Sequence, residues 1–389
     1  MKAAVLFVDD NENILQGLRR NLRPMHQEWD INFANGGIPA LKIMQEKHID
    51  VVVSDIRMPG MDGSELLKQV KELYGHTIRM VLSGQCEEEV IIKLLGVSHQ
   101  YMAKPFDTGT LISSIKGMLA ARSQLQDEGL KKFITSLTAL PSVPRIHEKI
   151  IAELKAASPV TQTLEDLFLR DISLAAKIFQ VMNSSYFGTN QDINTIAYVW
   201  ELLGLEKIKA LIIDGHIIAP LDKRLESDPF IQELWDSSLT TARIARLIAK
   251  SENLPPKMSD KAWVAGLLHA VGAVILYTYQ LHSAGSVDHS KLLDAANPQN
   301  AYPLVGGFLA FLWGLPQDIR FAILHHAEPR KAGDAGDKNI LAIVHVAWAL
   351  AHTRKNPPQP ETAYLDQEFL SQTNALDKLQ KWKMASAMV

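Results

Sequence analysis

The chain reads as two unlike parts, an α/β doubly wound parallel sheet followed by an all-α region. Three observations predict this. Short apolar runs alternate with amphipathic stretches over the N-terminal third, the pattern of parallel strands wrapped by helices. A polar or charged residue stands at the C-terminal end of each of four such runs. From about Leu137 helical periodicity takes over, in EKIIAELKAA, SLAAKIFQVMNSS, KIKALIIDGHII, LTTARIARLIAKSENL and WVAGLLHAVGAVILYTY. Proline-rich breaks at Pro141–Pro144, Pro255-Pro256 and Pro357–Pro360 punctuate the second part, which shows no repeat of fixed period.

Taken in order, AAVLFV precedes the acidic pair Asp9-Asp10, DVVVS precedes Asp55, IRMVL precedes Ser83, and HQYMA precedes Lys104. In open α/β sheets the chemistry gathers beyond the carboxyl ends of the strands. Three carboxylates, a hydroxyl and an ammonium are therefore expected at one spot. Clustered carboxylates repel unless a hard cation such as Mg²⁺ sits among them. A carboxylate so placed can attack phosphorus, while the Lys and the hydroxyl hold the phosphoryl oxygens. Each Asp could instead be a helix N-cap, and Asp10, just before a helical stretch, could do both jobs. Five such residues, spread over separate strand ends, favour a shared site over unrelated caps.

The phrases VDDNE, SDIRMPGMDG, LSG and AKPF, in this order and spacing, resemble the phosphoacceptor site of bacterial response-regulator receiver domains, over roughly residues 1–122. The resemblance implies a five-stranded, flavodoxin-like, CheY-like domain in which Asp55 is the phosphoacceptor. It further implies that Asp10 and Asp55 ligate Mg²⁺, that Asp9 contributes through water, and that the Arg57 backbone carbonyl completes the protein ligands. Ser83 would swing toward the phosphoryl group, with Tyr101 as the aromatic switch turning inward and Pro105 as the cis-peptide proline that sets the Lys104 loop. Arg57, two residues after the acceptor, is where the family tunes dephosphorylation; slow loss of the phosphoryl group is expected.

Asp107 is a reasonable N-cap for a helix after the last strand. Leu111, Ile115, Met118, Leu119, Leu125, Leu130 and Phe133 continue at near-helical spacing, predicting one long connecting helix, with Gly117 and Gly129 as its weak points and residues 123–136 as a helical linker. Such a helix could pack on its own domain or also dimerise; its heptads are too few and too irregular for a coiled coil.

In the second part LPSVPRIHEKI, RDISLAAKIFQVMNSSYFG, WELLGLEKIKALII, AGLLHAVG and WGLPQDIRFAILHHAEP resemble the HDOD domain, a helical relative of HD-type phosphohydrolases, over roughly residues 137–350. The output domain is assigned to 137–389, with an extension from about 351 that carries no recognised motif. Most of the aliphatic residues read as core, Trp235, Trp263, Trp313 and Trp348 as anchors, and NSSYFG as a helix end turned by Gly188. HD enzymes hold metals with His and Asp ligands. The resemblance puts Ser237 where the first His belongs, Ala270 in place of the Asp after His269, and Trp348 in place of a late Asp. The metal site is thus expected to be dismantled, with Trp348 filling its space. His269, His325, His326 and His345 survive and could conceivably form a His-only transition-metal site; adjacent His325 and His326 diverge by about 100° on a helix and cannot easily share one ion.

Composition bounds the rest. The 389 residues suffice for two or three domains, and 47% hydrophobic with 21% charged is ordinary for a soluble protein. Net charge is −3, with 14 basic against 15 acidic residues to position 122 and 26 against 28 after it, so neither part is a basic nucleic-acid module. The single Cys86 suits a reducing cytoplasm, and no signal peptide or long apolar span is evident. The expected function is a response regulator: a sensor histidine kinase or phosphotransfer protein phosphorylates Asp55, and a non-catalytic HDOD domain acts through protein–protein contact, with no DNA or membrane partner and a possible homodimer. The alternative is a receiver-controlled phosphohydrolase of cyclic-dinucleotide phosphodiesterase type.

Overall fold

The computed structural model describes residues 2–84, 94, 96–137, 140–142, 144–182, 204–209, 212, 218–220, 228–285, 287, 292, 302–333, 338–355 and 364–387. Cys86 and the NSSYFG segment lie outside the described residues, as does the side chain of Ser83.

Strands β1 (Ala3–Val8), β2 (Trp29–Ala34), β3 (Val51–Asp55), β4 (Ile78–Ser83) and β5 (Gln100–Ala103) form one parallel sheet in the order β2-β1-β3-β4-β5. All five residues of β3 are buried, as befits a central strand covered on both faces. Helices α1 (Glu12–Asn21), α2 (Gly37–Glu46), α3 (Gly63–Leu73) and α4 (Thr108–Gln124) wrap the sheet. Asn11, Asp62 and Asp107 cap α1, α3 and α4 through side-chain oxygens that accept backbone N–H groups of the first turn.

Strand alternation divides the sheet's side chains between two cores. Ala4, Leu6, Val8, Val52 and Val81 face α2 and α3 residues such as Met44 and Leu66. Val5, Phe7, Val51, Val53, Met80 and Leu82 face Leu111, Ile115 and Met118 of α4. The second core does not stop at α4. It runs without a break into the helical part of the chain.

That part contains α5 (Glu128–Ser136), α6 (Pro144–Leu154), α7 (Thr161–Leu169), α8 (Ile172–Met182), α9 (Pro229–Ser251), α10 (Pro256–Leu268) and α11 (Val271–Ala284). After these come α12 (Tyr302–Leu312), α13 (Gln317–His325), α14 (Lys338–Lys355), α15 (Gln367–Gln372) and α16 (Leu379–Ser386). Two short strands, β6 (Leu140–Ser142) and β7 (Ile218–Pro220), pair in parallel; periodicity alone did not signal them, since each has only three residues. The stretch Pro256–Ala284 is long and apolar enough to cross a membrane, and 94% of its most apolar window is buried inside the protein.

The single long connecting helix is not what forms. The chain leaves α4 at Leu125, which is extended, and Asp127 then caps α5 by accepting the Leu130 N–H at 3.0 Å. The break falls at this cap and not at the glycines. Gly117 and Gly129 serve close packing: a Cβ on Gly117 would lie 2.9 Å from the Phe311 ring, and one on Gly129 would crowd the Tyr279 hydroxyl. The sequence signal at Asp127 was an Asp ahead of an apolar helical stretch, outweighed by the continuous spacing of Leu111 to Phe133.

The C-terminal segment folds back onto the helical body. Trp382 of α16 is buried, and its indole donates to Glu252 at 3.0 Å, with Lys378 and Lys381 pairing the same carboxylate at 3.1 and 2.8 Å.

Candidate functional site

Asp9 follows β1, Asp55 ends β3, Ser83 ends β4, and Lys104 follows β5, so the parallel register carries all four to one edge of the sheet. Asp9 is 3% and Asp55 8% exposed. One Asp9 oxygen accepts the Asn11 N–H at 2.9 Å, and the other accepts from Lys104 Nζ at 2.6 Å. The Asp55 carboxylate accepts the Arg57 N–H at 2.8 Å and pairs with the same Lys104 ammonium. Asp10, the next residue after Asp9, is exposed, as is Arg57. The Lys104–Pro105 peptide is cis. Tyr101 is buried, and its hydroxyl donates to the Gly84 carbonyl at 3.4 Å, so the ring already lies inward.

Burial pushes the Asp55 carboxyl above its ordinary range, and the nearby Asp9 charge adds to this against the opposing pull of Lys104. Burial also works against the Lys104 ammonium, but its hydrogen bonds to Asp55 and Asp9 outweigh it and raise that pKa. Two buried carboxylates thus share one cation. Among the described residues no three His, Cys, Asp or Glu side chains are already gathered into a metal-holding group. The donor chemistry nevertheless fits a hard divalent ion: only oxygen donors are present, and the buried acids carry more negative charge than Lys104 neutralises.

Gly63 sets how closely α3 approaches Asp55. A Cβ there would stand 2.0 Å from the Asp55 carbonyl oxygen and 2.9 Å from the Ile56 Cα, both backbone atoms that cannot swing aside. The Gly63 N–H donates to the Ile56 carbonyl at 2.8 Å, which closes the turn carrying Asp55.

In the helical part, three of the four surviving histidines come together. The rings of His269 and His326 are 5.0 Å apart, and Trp348 stands 5.5 Å from His326 and 6.2 Å from His345. His325 is turned away and packs on Phe321. Each clustered imidazole is held by backbone: His269 Nδ1 by the Gly266 carbonyl at 2.7 Å, His326 Nδ1 by Ile323 at 2.9 Å, and His345 Nδ1 by the His326 carbonyl at 2.6 Å. These Nδ1 atoms must donate. His326 Nε2 then accepts from the Tyr302 hydroxyl at 2.8 Å, and His345 Nε2 accepts the Asp366 N–H at 2.9 Å. Two of the three outer nitrogens are therefore already committed. Burial pushes His269 down to about 4, and His326 well below the usual range, so the cluster is neutral. Ala270 is buried, Ser237 is half-buried on α9, and the Trp348 indole packs where Tyr364 and His352 close around it.

Sequence reading missed Tyr302, which anchors His326, and Asp366, whose N–H ties the C-terminal segment to His345. It also passed over Arg79 and His99, which are fully and almost fully buried at the starts of β4 and β5. The signal for Arg79 was available: a charge inside the apolar run IRMVL is rarely buried without dedicated partners.

Two known families match successive parts of the chain. The response regulator receiver domain family matches residues 5–116, and the HDOD domain family matches residues 140–329. The hydrogenase transcriptional regulatory protein HoxA of Bradyrhizobium diazoefficiens is 30% identical over 118 residues, which are 30% of this chain and 24% of that protein. The chain thus spans about a quarter of that curated relative. The receiver domain of an HD domain-containing protein from Pseudomonas fluorescens is 30% identical, covering 31% of this chain and 96% of that one, with a TM-score of 0.30. The MmoQ response regulator of Methylococcus capsulatus is 18% identical, covering 63% of this chain and 97% of that one, with a TM-score of 0.45.

Proposed function

The chain is a response regulator, a receiver domain joined to an HDOD domain, and from that premise we propose that phosphorylation of Asp55 switches an HDOD domain that works by binding another protein. The observation that carries this reading is the Asp55 carboxylate itself. It is buried at the end of a central strand, its charge is held by Lys104, and buried Asp9 shares that same ammonium.

In the proposed reaction an Asp55 oxygen forms a bond to phosphorus as the bond from phosphorus to the donor breaks, and the leaving group departs with that electron pair. Asp10, Asp55 and the Arg57 carbonyl would hold Mg²⁺ directly, with Asp9 acting through water. When bound, the ion neutralises charge on the acids and on the incoming phosphoryl oxygens. Lys104 exchanges part of its hold on Asp55 for a phosphoryl oxygen. Ser83 donates its hydroxyl to another, and Tyr101 fills the space behind it. Phosphorylation adds negative charge and acceptor oxygens, which bias a pre-existing equilibrium of the receiver.

A non-catalytic output is supported by the side chains at the metal positions. Ser237 and Ala270 offer no strong ligand, Trp348 occupies the third position with apolar bulk, and His326 and His345 are engaged by Tyr302 and the Asp366 N–H. The phosphate source is a histidine kinase or a phosphotransfer protein, and the output partner is another signalling protein.

Intact-mass measurement after incubation with acetyl phosphate and Mg²⁺ tests the switch. Wild type should gain one phosphoryl group and Asp55→Asn none. A wild type that gains nothing, or an Asp55→Asn variant that gains as much, would overturn it. Turnover of a phosphodiester that is lost on His269→Ala would overturn the adaptor role.

A further inference from the structure

Arg79, the second residue of β4, has no exposed surface. A buried guanidinium is costly unless its donors are satisfied. Here Nε donates to the Val97 carbonyl at 2.6 Å, Nη1 to the Thr77 carbonyl at 3.0 Å and Nη2 to the Thr135 carbonyl at 3.0 Å. The first two acceptors belong to the receiver. The third lies in the last turn of α5, where a helix leaves carbonyls without partners of its own.

His99 immediately precedes β5 and is held in the same knot. Its Nδ1 accepts the Arg79 backbone N–H at 2.9 Å, so the proton is on Nε2, which donates to the Thr135 carbonyl at 2.8 Å. Burial, reinforced by the Arg79 charge, keeps this imidazole neutral. One carbonyl of α5 therefore receives two donors, one from the start of β4 and one from the start of β5. The HDOD helices crowd the same place. Gln100 lies against Gly314, where a Cβ would be 2.6 Å from its amide nitrogen, and buried Lys177 of α8 lies 5.3 Å from the centre of the Trp313 ring.

We propose that Arg79 and His99 form a clamp that transmits the phosphorylation state of the receiver to the HDOD domain through α5. The inference rests on Asp55 as phosphoacceptor. Both clamped strands lead at their other end to a residue that the proposed reaction sets on the phosphoryl group, Ser83 on β4 and Lys104 after β5. When Ser83 and Lys104 move to a phosphoryl group, β4 and β5 shift relative to one another. The two donors meeting at Thr135 then cannot both keep their geometry. A well-packed joint answers such a shift by changing between discrete arrangements, because its packing leaves little room for gradual deformation. α5 and the helix against which α4 packs, α12, are the elements that respond.

The test uses the full chain with beryllofluoride and Mg²⁺, following binding by fluorine NMR and the response by hydrogen exchange in peptides covering α5 and α12. Wild type should bind and change its exchange in both helices. Arg79→Met and His99→Asn should bind with unchanged affinity and lose that change. The asparagine amide oxygen keeps an acceptor for the Arg79 N–H and gives up only the donor to Thr135, so His99→Asn decides the matter if Arg79→Met fails to fold. Binding by wild type without any change in α5 and α12, or an undiminished change in the variants, would overturn the clamp alone. Failure of wild type to bind would overturn the Asp55 reading and the clamp with it.

Discussion

Lys104 Nζ lies 2.6 Å from the Asp9 carboxylate while the same ammonium pairs with Asp55. Two buried acids are thus held by one cation that arrives after β5, two places from the strand of Asp55 and three from that of Asp9. Replacing Lys104 with Met leaves both carboxylates facing each other. The expected cost is about 2 kcal/mol, the size of a lost charged hydrogen bond at a mostly buried site, read as a lower urea midpoint. Beryllofluoride binding should weaken by at least about tenfold. An unchanged midpoint would mean that Lys104 is not the counter-charge of the site.

Mg²⁺ should stabilise the chain. At about a hundredfold excess over its dissociation constant the gain is about 2.7 kcal/mol. Asp10 is exposed and its removal should leave the metal-free protein unchanged. In Asp10→Ala the Mg²⁺-dependent rise in melting temperature is expected to shrink or vanish, and a full rise in that variant would remove Asp10 from the ligand set.

The two glycines Gly63 and Gly17 should respond in opposite directions to alanine. At Gly63 the new Cβ meets the Asp55 carbonyl, so Gly63→Ala is expected to destabilise by about 1–3 kcal/mol and to slow phosphorylation. At Gly17, within α1, nothing lies within 4 Å, and Gly17→Ala should stabilise by up to about 1 kcal/mol. Chemical denaturation of both variants reads the contrast directly.

Acid should weaken the HDOD half through its buried imidazoles. His269 titrates at about 6.5 in the unfolded chain and is pushed down to about 4 by burial in the folded one. Above the unfolded value both states are neutral and its contribution is complete. As pH falls between the two values, only the unfolded chain takes up the proton, and stability drops by up to about 3 kcal/mol. His269→Gln should flatten the pH dependence of the unfolding free energy over this range. An unaltered slope would show that His269 is not the group responsible.

The C-terminal segment should be part of the HDOD fold. Trp382 is buried against α9 and bonded to Glu252. Trp382→Ala is expected to cost about 3 kcal/mol or more, with the loss reported by the HDOD transition in calorimetry. A variant that melts like wild type would make the segment a separate appendage.

The receiver site was legible because its residues follow a rule of position. Asp9, Asp55 and Lys104 each stand at the end of an apolar run, and parallel pairing brings such ends together whatever the details of packing. The expectation for Trp348 rests on residue type, since a bulky apolar side chain at a ligand position would exclude an ion wherever its ring points. The convergence of His269, His326 and His345 was not, because it depends on how α10, α13 and α14 cross. The break at Leu125 was missed because helical spacing persists on both sides of it.

The amino-acid sequence by itself determined the two kinds of fold and the gathering of Asp9, Asp55 and Lys104 at the strand ends, which follow from local periodicity and residue chemistry. Tertiary structure alone decided how the halves are joined. Gly117 against Phe311, Gln100 against Gly314, and Arg79 with His99 on the Thr135 carbonyl are contacts between segments far apart in the chain. Short-range patterns encode which face of an element is apolar. They do not encode which distant element covers it, because that choice belongs to the packing of the whole molecule.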